Sequence, residues 1–260
     1  MTTAMMETTT VVSPTEWLAA RKALLKKERE FTHLRDELSQ QRRQLPWERV
    51  EKKYAFEGAN GKQTLADLFA GRSQLIIYHF MFGPAWKEGC PSCSFMADQF
   101  DGMTTHLKQR DTAFAAVSRA SWPEIARFKE RMGWKFPWVS SQGSEFNYDY
   151  QASAVKDADG KTHYNYDAVE FPSDELPGAS VFVRRDGEIF HTYSTYARGL
   201  DQMMNAYNFL DLTPKGRDEE SLPWPMAWVR HHDKYGDPTA LDAITLIAQS
   251  APGKSCCEGK

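Results

Sequence analysis

Apolar residues change their spacing several times along this chain, and each change predicts an element. From Ser13 to Gln44 they recur at helical spacing, with Trp17, Leu24, Phe31 and Leu38 seven apart and Leu18, Leu25 and Leu34 beside them. Ser13, Pro14 and Glu16 make a capping box with proline at the first helical position, and Pro46 stops the run. One amphipathic helix over 13–44 follows, with a stripe that must find a partner. The favoured partner is the chain's own core. The alternative is a second copy, giving a homodimer through helix 13–44.

Beyond it, Lys53 to Phe56 reads as an edge strand, Gly58 to Gly61 as a turn, and Leu65 to Phe69 as a short helix stopped by Gly71. Gln74 to Met81 is mostly apolar, as a buried central strand would be, and Gly83-Pro84 breaks it. Cys93, Met96, Phe100, Met103 and Leu107 then follow 3-4-3-4 spacing on one helix face. Thr112 to Val117 is a second buried strand. A capping box from Ser121 to Glu124 opens a helix whose inner face is Ile125, Phe128 and Met132. After a short extended piece at Phe136 to Val139, residues 140–178 read as an irregular insertion. Ser180 to Arg185 and Glu188 to Tyr193 alternate around Asp186-Gly187, a two-residue hairpin signal. A helix from Leu200 to Leu210 follows. Residues 213–260 carry little regular pattern apart from a helix at Thr239 to Gln249.

Stripped of its ends, this order is strand, helix, strand, helix, insertion, antiparallel hairpin, helix. It predicts an α/β chain with a thioredoxin-like three-layer α/β/α sandwich and a mixed central sheet. The expected organisation is a disordered leader (1–12), the N-terminal helix (13–45), the thioredoxin-like domain (46–212) and a C-terminal extension (213–260).

Composition narrows the classes. A net charge of -3 gives no case for nucleic acid or for an anionic membrane surface. No apolar run approaches the roughly 20 residues of a membrane span. Residues 1–12 lack the basic and apolar regions of a secretory signal. The expected location is the cytoplasm, where the four cysteines would be reagents or ligands and not staples.

Two of those cysteines form Cys90-Pro91-Ser92-Cys93, at the handover from a strand to a helix. That context makes a Cys-x-x-Cys a redox signal. Disulfide exchange needs a thiolate, and a helix N-terminus stabilises one through unpaired N–H groups and the helix dipole. Pro91 suits the first turn. Cys90 is therefore the expected nucleophile, with Cys93, one turn on, resolving the mixed disulfide. His79 and Trp86 are candidate supporting residues. A histidine on a buried strand is more often a satisfied core residue, and Lys87 and Glu88 read as solvated loop charges.

Three other readings of the pair stay open: a zinc half-site, a structural pair, and reaction with another electrophile such as a peroxide. The peroxide reading is weakened because Pro84 is too close to Cys90 and no Thr or Ser stands three before it. Neither a cofactor nor a resident metal is expected. Arg230-His231-His232-Asp233 reads as a solvated segment. Cys256-Cys257 reads as an exposed tail, with a thiol relay to Cys90 as the alternative.

Several segments resemble a thioredoxin-like bacterial domain-of-unknown-function family numbered 899. They are Tyr78 to Pro84, Gly89 to Phe95, Phe136 to Ser141, Phe146 to Asp149, His191 to Gly199 and Leu210 to Arg217. The resemblance implies a thioredoxin-like fold and a dithiol–disulfide oxidoreductase activity, with no substrate or electron donor specified. The chain departs from thioredoxin itself in two places. Gly89, not Trp, precedes the first cysteine. The place of the proline that faces the dithiol falls at Ala179 when counted back from Gly187, with Pro177 two residues earlier. A missing proline and an aromatic wall on insertion 140–178 (Trp138, Phe146, Tyr148, Tyr150, Tyr164, Tyr166) would favour a small disulfide or a dedicated partner. A packed accessory core is the equal alternative for those aromatics. The remaining reading is a partner-binding redox sensor, or a metal or metalloid binder using Cys90, Cys93 and the tail thiols.

Overall fold

The computed structural model describes residues 10–250, so most of the leader and the tail with Cys256 and Cys257 lie outside the described residues. The chain opens with α1 (Pro14–Gln44), whose capping box is formed as the sequence predicts, and continues through β1 (Glu48–Arg49). A hairpin of β2 (Ala55–Gly58) and β3 (Gly61–Thr64) leads into the single turn α2 (Leu65–Leu68). Then come β4 (Gln74–His79), α3 (Pro91–Ala97), α4 (Phe100–Lys108), β5 (Thr112–Ser118), α5 (Trp122–Arg131) and β6 (Trp138–Ser140). The insertion holds α6 (Phe146–Asp149) and a small separate sheet of β7 (Thr162–Tyr164) and β8 (Asp167–Val169). The long hairpin of β9 (Gly178–Arg185) and β10 (Glu188–Tyr196) follows, then a 3-10 helix (Ala197–Met203), α7 (Asn205–Leu210), a 3-10 turn (His232–Lys234) and α8 (Ala243–Ser250).

The main sheet runs β1-β10-β9-β4-β5-β6-β2-β3. β4, β5 and β6 pair in parallel, while β9 lies antiparallel against β4 and β10 against β9. The apolar runs of β4 and β5 take the sheet centre because both their faces are covered. The β9–β10 turn places Asp186 at φ 53° and Gly187 at φ 83°, as its sequence signal requires.

Strand alternation splits the core in two. Tyr78 and Phe80 point to one face, joining residues of α3, α4 and α5. Leu75 and Ile77 point to the other, packing with Leu65, Leu68, Phe146 and Tyr150 around α2 and α6. The result is the expected α/β/α layering with a mixed sheet.

Three expectations are corrected. The helix behind the cysteines is two helices, broken at Asp98-Gln99. Asp98 Oδ1 accepts from Trp134 Nε1 (2.8 Å) and lies 2.7 Å from His232 Nδ1, and Gln99 Oε1 accepts from the Asn205 N–H (2.9 Å). Tertiary partners take the junction that periodicity alone would carry through. The favoured docking of helix 13–44 on the chain's own core is also overturned, since α1 has no buried residue, with Trp17 59% and Phe31 66% exposed. Its contact with the domain is at the C-terminal end, where the Arg42 guanidinium lies 5.6 Å from the Tyr193 ring centroid. Finally, of the two readings of the insertion's aromatics, the packed accessory core prevails over the wall: Phe146 and Tyr150 fill the second cluster on the other side of the sheet, Tyr164 packs with Tyr196, Tyr148 and Tyr166 are exposed, and Trp138 alone of the six shares the cluster of the two cysteines.

Candidate functional site

Cys90 is the N-cap of α3 and Pro91 the first residue of the helix. The Cys90 N–H donates to the Met81 carbonyl (3.0 Å), which ties the loop after β4 to the helix start. The Cys90 carbonyl accepts from the Ser94 N–H (2.9 Å) and from Ser94 Oγ (3.0 Å). Both thiols are unbridged, and each cysteine is only 2% exposed.

Gly89 explains one departure from thioredoxin. A Cβ there would stand 2.6 Å from the Phe80 ring and 2.7 Å from the Phe128 ring. No side chain, least of all an indole, fits before Cys90 without moving that aromatic floor. Trp86 instead reaches the same buried cluster from three residues further back.

The two thiols are electrostatically unequal. The Cys93 thiol donates to the Cys90 sulfur and holds Cys90 below the ordinary cysteine range; burial opposes this. The backbone N–H groups of Cys93 and Ser92 and the Ser92 hydroxyl add to the lowering, as an anion at a helix N-terminus should experience. Cys93 moves the other way, pushed up first by burial and then by donating to Cys90 and by the charge of that sulfur. The Tyr78 hydroxyl bonds to Cys93 and partly offsets that rise. The hydroxyl keeps its own proton firmly, because Tyr78 is buried and faces both thiols. Tyr78 was not among the sequence candidates, although strand alternation puts it, and not its neighbour His79, on the dithiol face.

His79 is thus excluded from the thiol chemistry by parity. It packs against Phe146 and Tyr150 on the far face, and its Nε2 bonds to Ser180 Oγ (2.8 Å). Ser180 Oγ meets Ser194 Oγ (2.8 Å), which meets His191 Nε2 (2.7 Å), so His79 ends a buried polar chain. Burial, and then the charge of His191, depress its pKa to about 3. Ala179 is the cross-strand neighbour of Tyr78 and belongs to the dithiol cluster. The proline is closer than the sequence count suggests: β9 begins at Gly178, so Pro177 stands directly before it and lines the same cavity as Cys90 and Cys93. Every peptide bond among the described residues is trans.

That cavity, of about 1220 Å³, is lined largely by the segment from Ala197 to Met226, and the insertion reaches it at Pro177. Glu219 pins that segment. Its Oε1 accepts from the Tyr207 hydroxyl (2.5 Å), Trp228 Nε1 (2.7 Å) and the Met226 N–H (2.9 Å).

The segment read as solvated, Arg230 to Asp233, also belongs to the site's frame. His231 is buried, and its Nε2 donates to the Gly89 carbonyl (2.7 Å). Its Nδ1 lies 3.4 Å from Arg131 Nη2. Burial lowers its pKa, against the Gly89 carbonyl and Glu88, whose Oε2 lies 3.3 Å from Nδ1. Glu88, read as a loop charge, pairs with Arg131 (2.9 Å) and Lys234 (2.8 Å), and Arg131 also holds Asp233 (2.8 Å). Two adjacent histidines carry no periodicity, and nothing in the sequence separates a buried one from a solvated one. Among the described residues, no group of three His, Cys, Asp or Glu is placed to hold a metal ion. No helix among them is long and apolar enough to cross a membrane.

A family model described as "Bacterial protein of unknown function (DUF899)" matches residues 6–235. No curated protein matches. Among solved structures, a mutant of PrxQ from Xylella fastidiosa aligns at 14% identity with a TM-score of 0.39, covering 60% of this chain and 88% of that one. Peroxidoxin BcpB from Mycobacterium tuberculosis aligns at 12% identity and a TM-score of 0.42, over 62% and 94%. A putative thiol:disulfide interchange protein DsbE from Chlorobium tepidum aligns at 14% identity and a TM-score of 0.39, over 62% and 97%.

Proposed function

We propose that this chain, which belongs to the bacterial family DUF899, performs thiol–disulfide exchange with Cys90 as nucleophile and Cys93 as resolving thiol. The observation that carries this reading is the opposite displacement of two adjacent thiols. Cys90 is lowered by donors at a helix N-terminus, while Cys93 is raised and keeps its proton. A structural pair needs no such difference, but exchange needs an anion at the first step and a protected thiol waiting for the second.

The steps follow. The Cys90 thiolate attacks one sulfur of a substrate disulfide, the S–S bond breaks, and one substrate thiolate leaves and takes a proton. Cys93 loses its proton as it attacks the Cys90 sulfur, the second substrate thiol leaves, and a Cys90–Cys93 disulfide remains. Two electrons pass from the dithiol to the substrate.

The test is a Cys93→Ser variant mixed with excess 2-hydroxyethyl disulfide. A stable adduct on Cys90 that the wild-type protein resolves is the expected result. An unmodified Cys90 in both proteins would overturn the proposal and favour a partner-binding reading.

A further inference from the structure

The cavity over the dithiol restricts what can reach it, and we infer that its substrate is a low-molecular-weight disulfide with an apolar, uncharged body. The inference rests on the exchange activity proposed above and names the substrate class of that same site.

Size is the first argument. With both cysteines 2% exposed, the sulfurs are reached through the cavity that they line. Its volume of about 1220 Å³ holds a whole small organic molecule, since such pockets measure roughly 300–1,000 Å³.

Lining is the second argument. The apolar part of the lining shared with the two cysteines is Tyr78, Met81, Pro177, Leu200, Met204 and Met226. These side chains offer dispersion contacts, and the methionines adapt readily to an irregular apolar guest. An ionised group placed against them would lose its hydration without gaining a partner.

Charge is the third. The cavity's arginines are already engaged. Arg217 is held by Asp211 (2.9 Å) and Asp201 (3.2 Å), and Arg198 by Asp201 (2.6 Å). The Arg217 guanidinium also lies 4.0 Å from the centre of the Tyr207 ring. Glu219 Oε1 is occupied by three donors. At the exposed rim, Lys215 stands with Asp218 and Glu220, and among the described residues it makes no ion pair. The rim thus carries one cation and two carboxylates. Nothing there resembles the paired free cations that a disulfide bearing several carboxylates, such as glutathione disulfide, would need.

The experiment compares two aromatic disulfides of similar reactivity type, neutral 4,4'-dithiodipyridine and dianionic 5,5'-dithiobis(2-nitrobenzoate). Each is mixed by stopped flow with the reduced full-length chain carrying Cys256→Ser and Cys257→Ser, and each rate is divided by that of the same reagent with 2-mercaptoethanol. The expected normalised rate is at least about tenfold higher for the neutral reagent, a difference of about 1.4 kcal/mol. Replacing Asp218 and Glu220 together by lysine should narrow the ratio. Equal normalised rates, or a preference for the dianion, would overturn the substrate class while leaving exchange intact. Failure of both reagents to produce a Cys90–Cys93 disulfide, read by mass spectrometry, would overturn the exchange activity itself.

Discussion

His231 Nε2 donates a 2.7 Å hydrogen bond to the carbonyl of Gly89, across 142 positions of sequence. The bond fixes the residue before the nucleophile to a segment well beyond the last strand of the main sheet. Removing the imidazole would leave a buried carbonyl unpaired, at a cost of about 1–3 kcal/mol. We expect His231→Ala to lower the unfolding free energy by that amount in urea titrations, with His231→Gln recovering part of it. An unchanged midpoint would show that the loop is held by other contacts.

Tyr78 makes its contribution at the second chemical step. Its hydroxyl bonds to Cys93, the thiol that must ionise to resolve a mixed disulfide. Hydrogen bonds to charged groups contribute about 1.5–3 kcal/mol. Tyr78→Phe should therefore slow release of the second substrate thiol by about tenfold or more, with the first attack by Cys90 nearly unaffected. Rapid-quench mass spectrometry should show the Cys90 adduct accumulating. If it does not accumulate, Tyr78 is only packing.

His79 should influence pH stability and not reactivity. Its folded pKa of about 3 lies below its unfolded value of about 6.5. Below pH 6.5 the unfolded chain binds a proton that the folded chain refuses. Stability from this group is therefore complete above pH 6.5 and is lost as pH falls toward 3, at about 1.4 kcal/mol per pH unit. Denaturation at pH 6.5 and 4.5 should show a steeper fall for wild type than for His79→Gln. Cys90 alkylation should be the same in both.

Much of the frame was legible in the sequence because it rests on local rules. The capping box at Ser13, the apolar runs of β4 and β5, and the Asp186-Gly187 turn are each fixed by a few neighbouring residues. So was the position of Cys90 at a helix start. What was not legible depends on pairs far apart in sequence. Periodicity could not show that Asn205 and His232 would occupy the Asp98-Gln99 junction. It could not show that the helix expected at Leu200 to Leu210 and the pattern-poor stretch after it would line the cavity. The face of His79 is different. The period of two already separated it from Tyr78, and the signal was available.

The stripe on α1 predicts self-association. Trp17, Leu24, Phe31 and Leu38 are all exposed, on a helix with no buried residue. Seven-residue spacing is the repeat that pairs helices, and isolated helices gain little stability in water. Light scattering after size exclusion should give a dimer mass for the full chain and a monomer mass for Trp17→Glu/Phe31→Glu. A monomeric wild type would contradict this.

The neighbours of Cys90 lower its pKa, and the pH dependence of Cys90 alkylation with iodoacetamide, followed by peptide mass spectrometry, reads that lowering directly. The lowering of Cys90 by Cys93, Ser92 and the helix start predicts a midpoint below the roughly 8.5 of free cysteine, while Cys93 stays unmodified throughout. A midpoint at or above that of free cysteine, or Cys93 reacting first, would contradict the account.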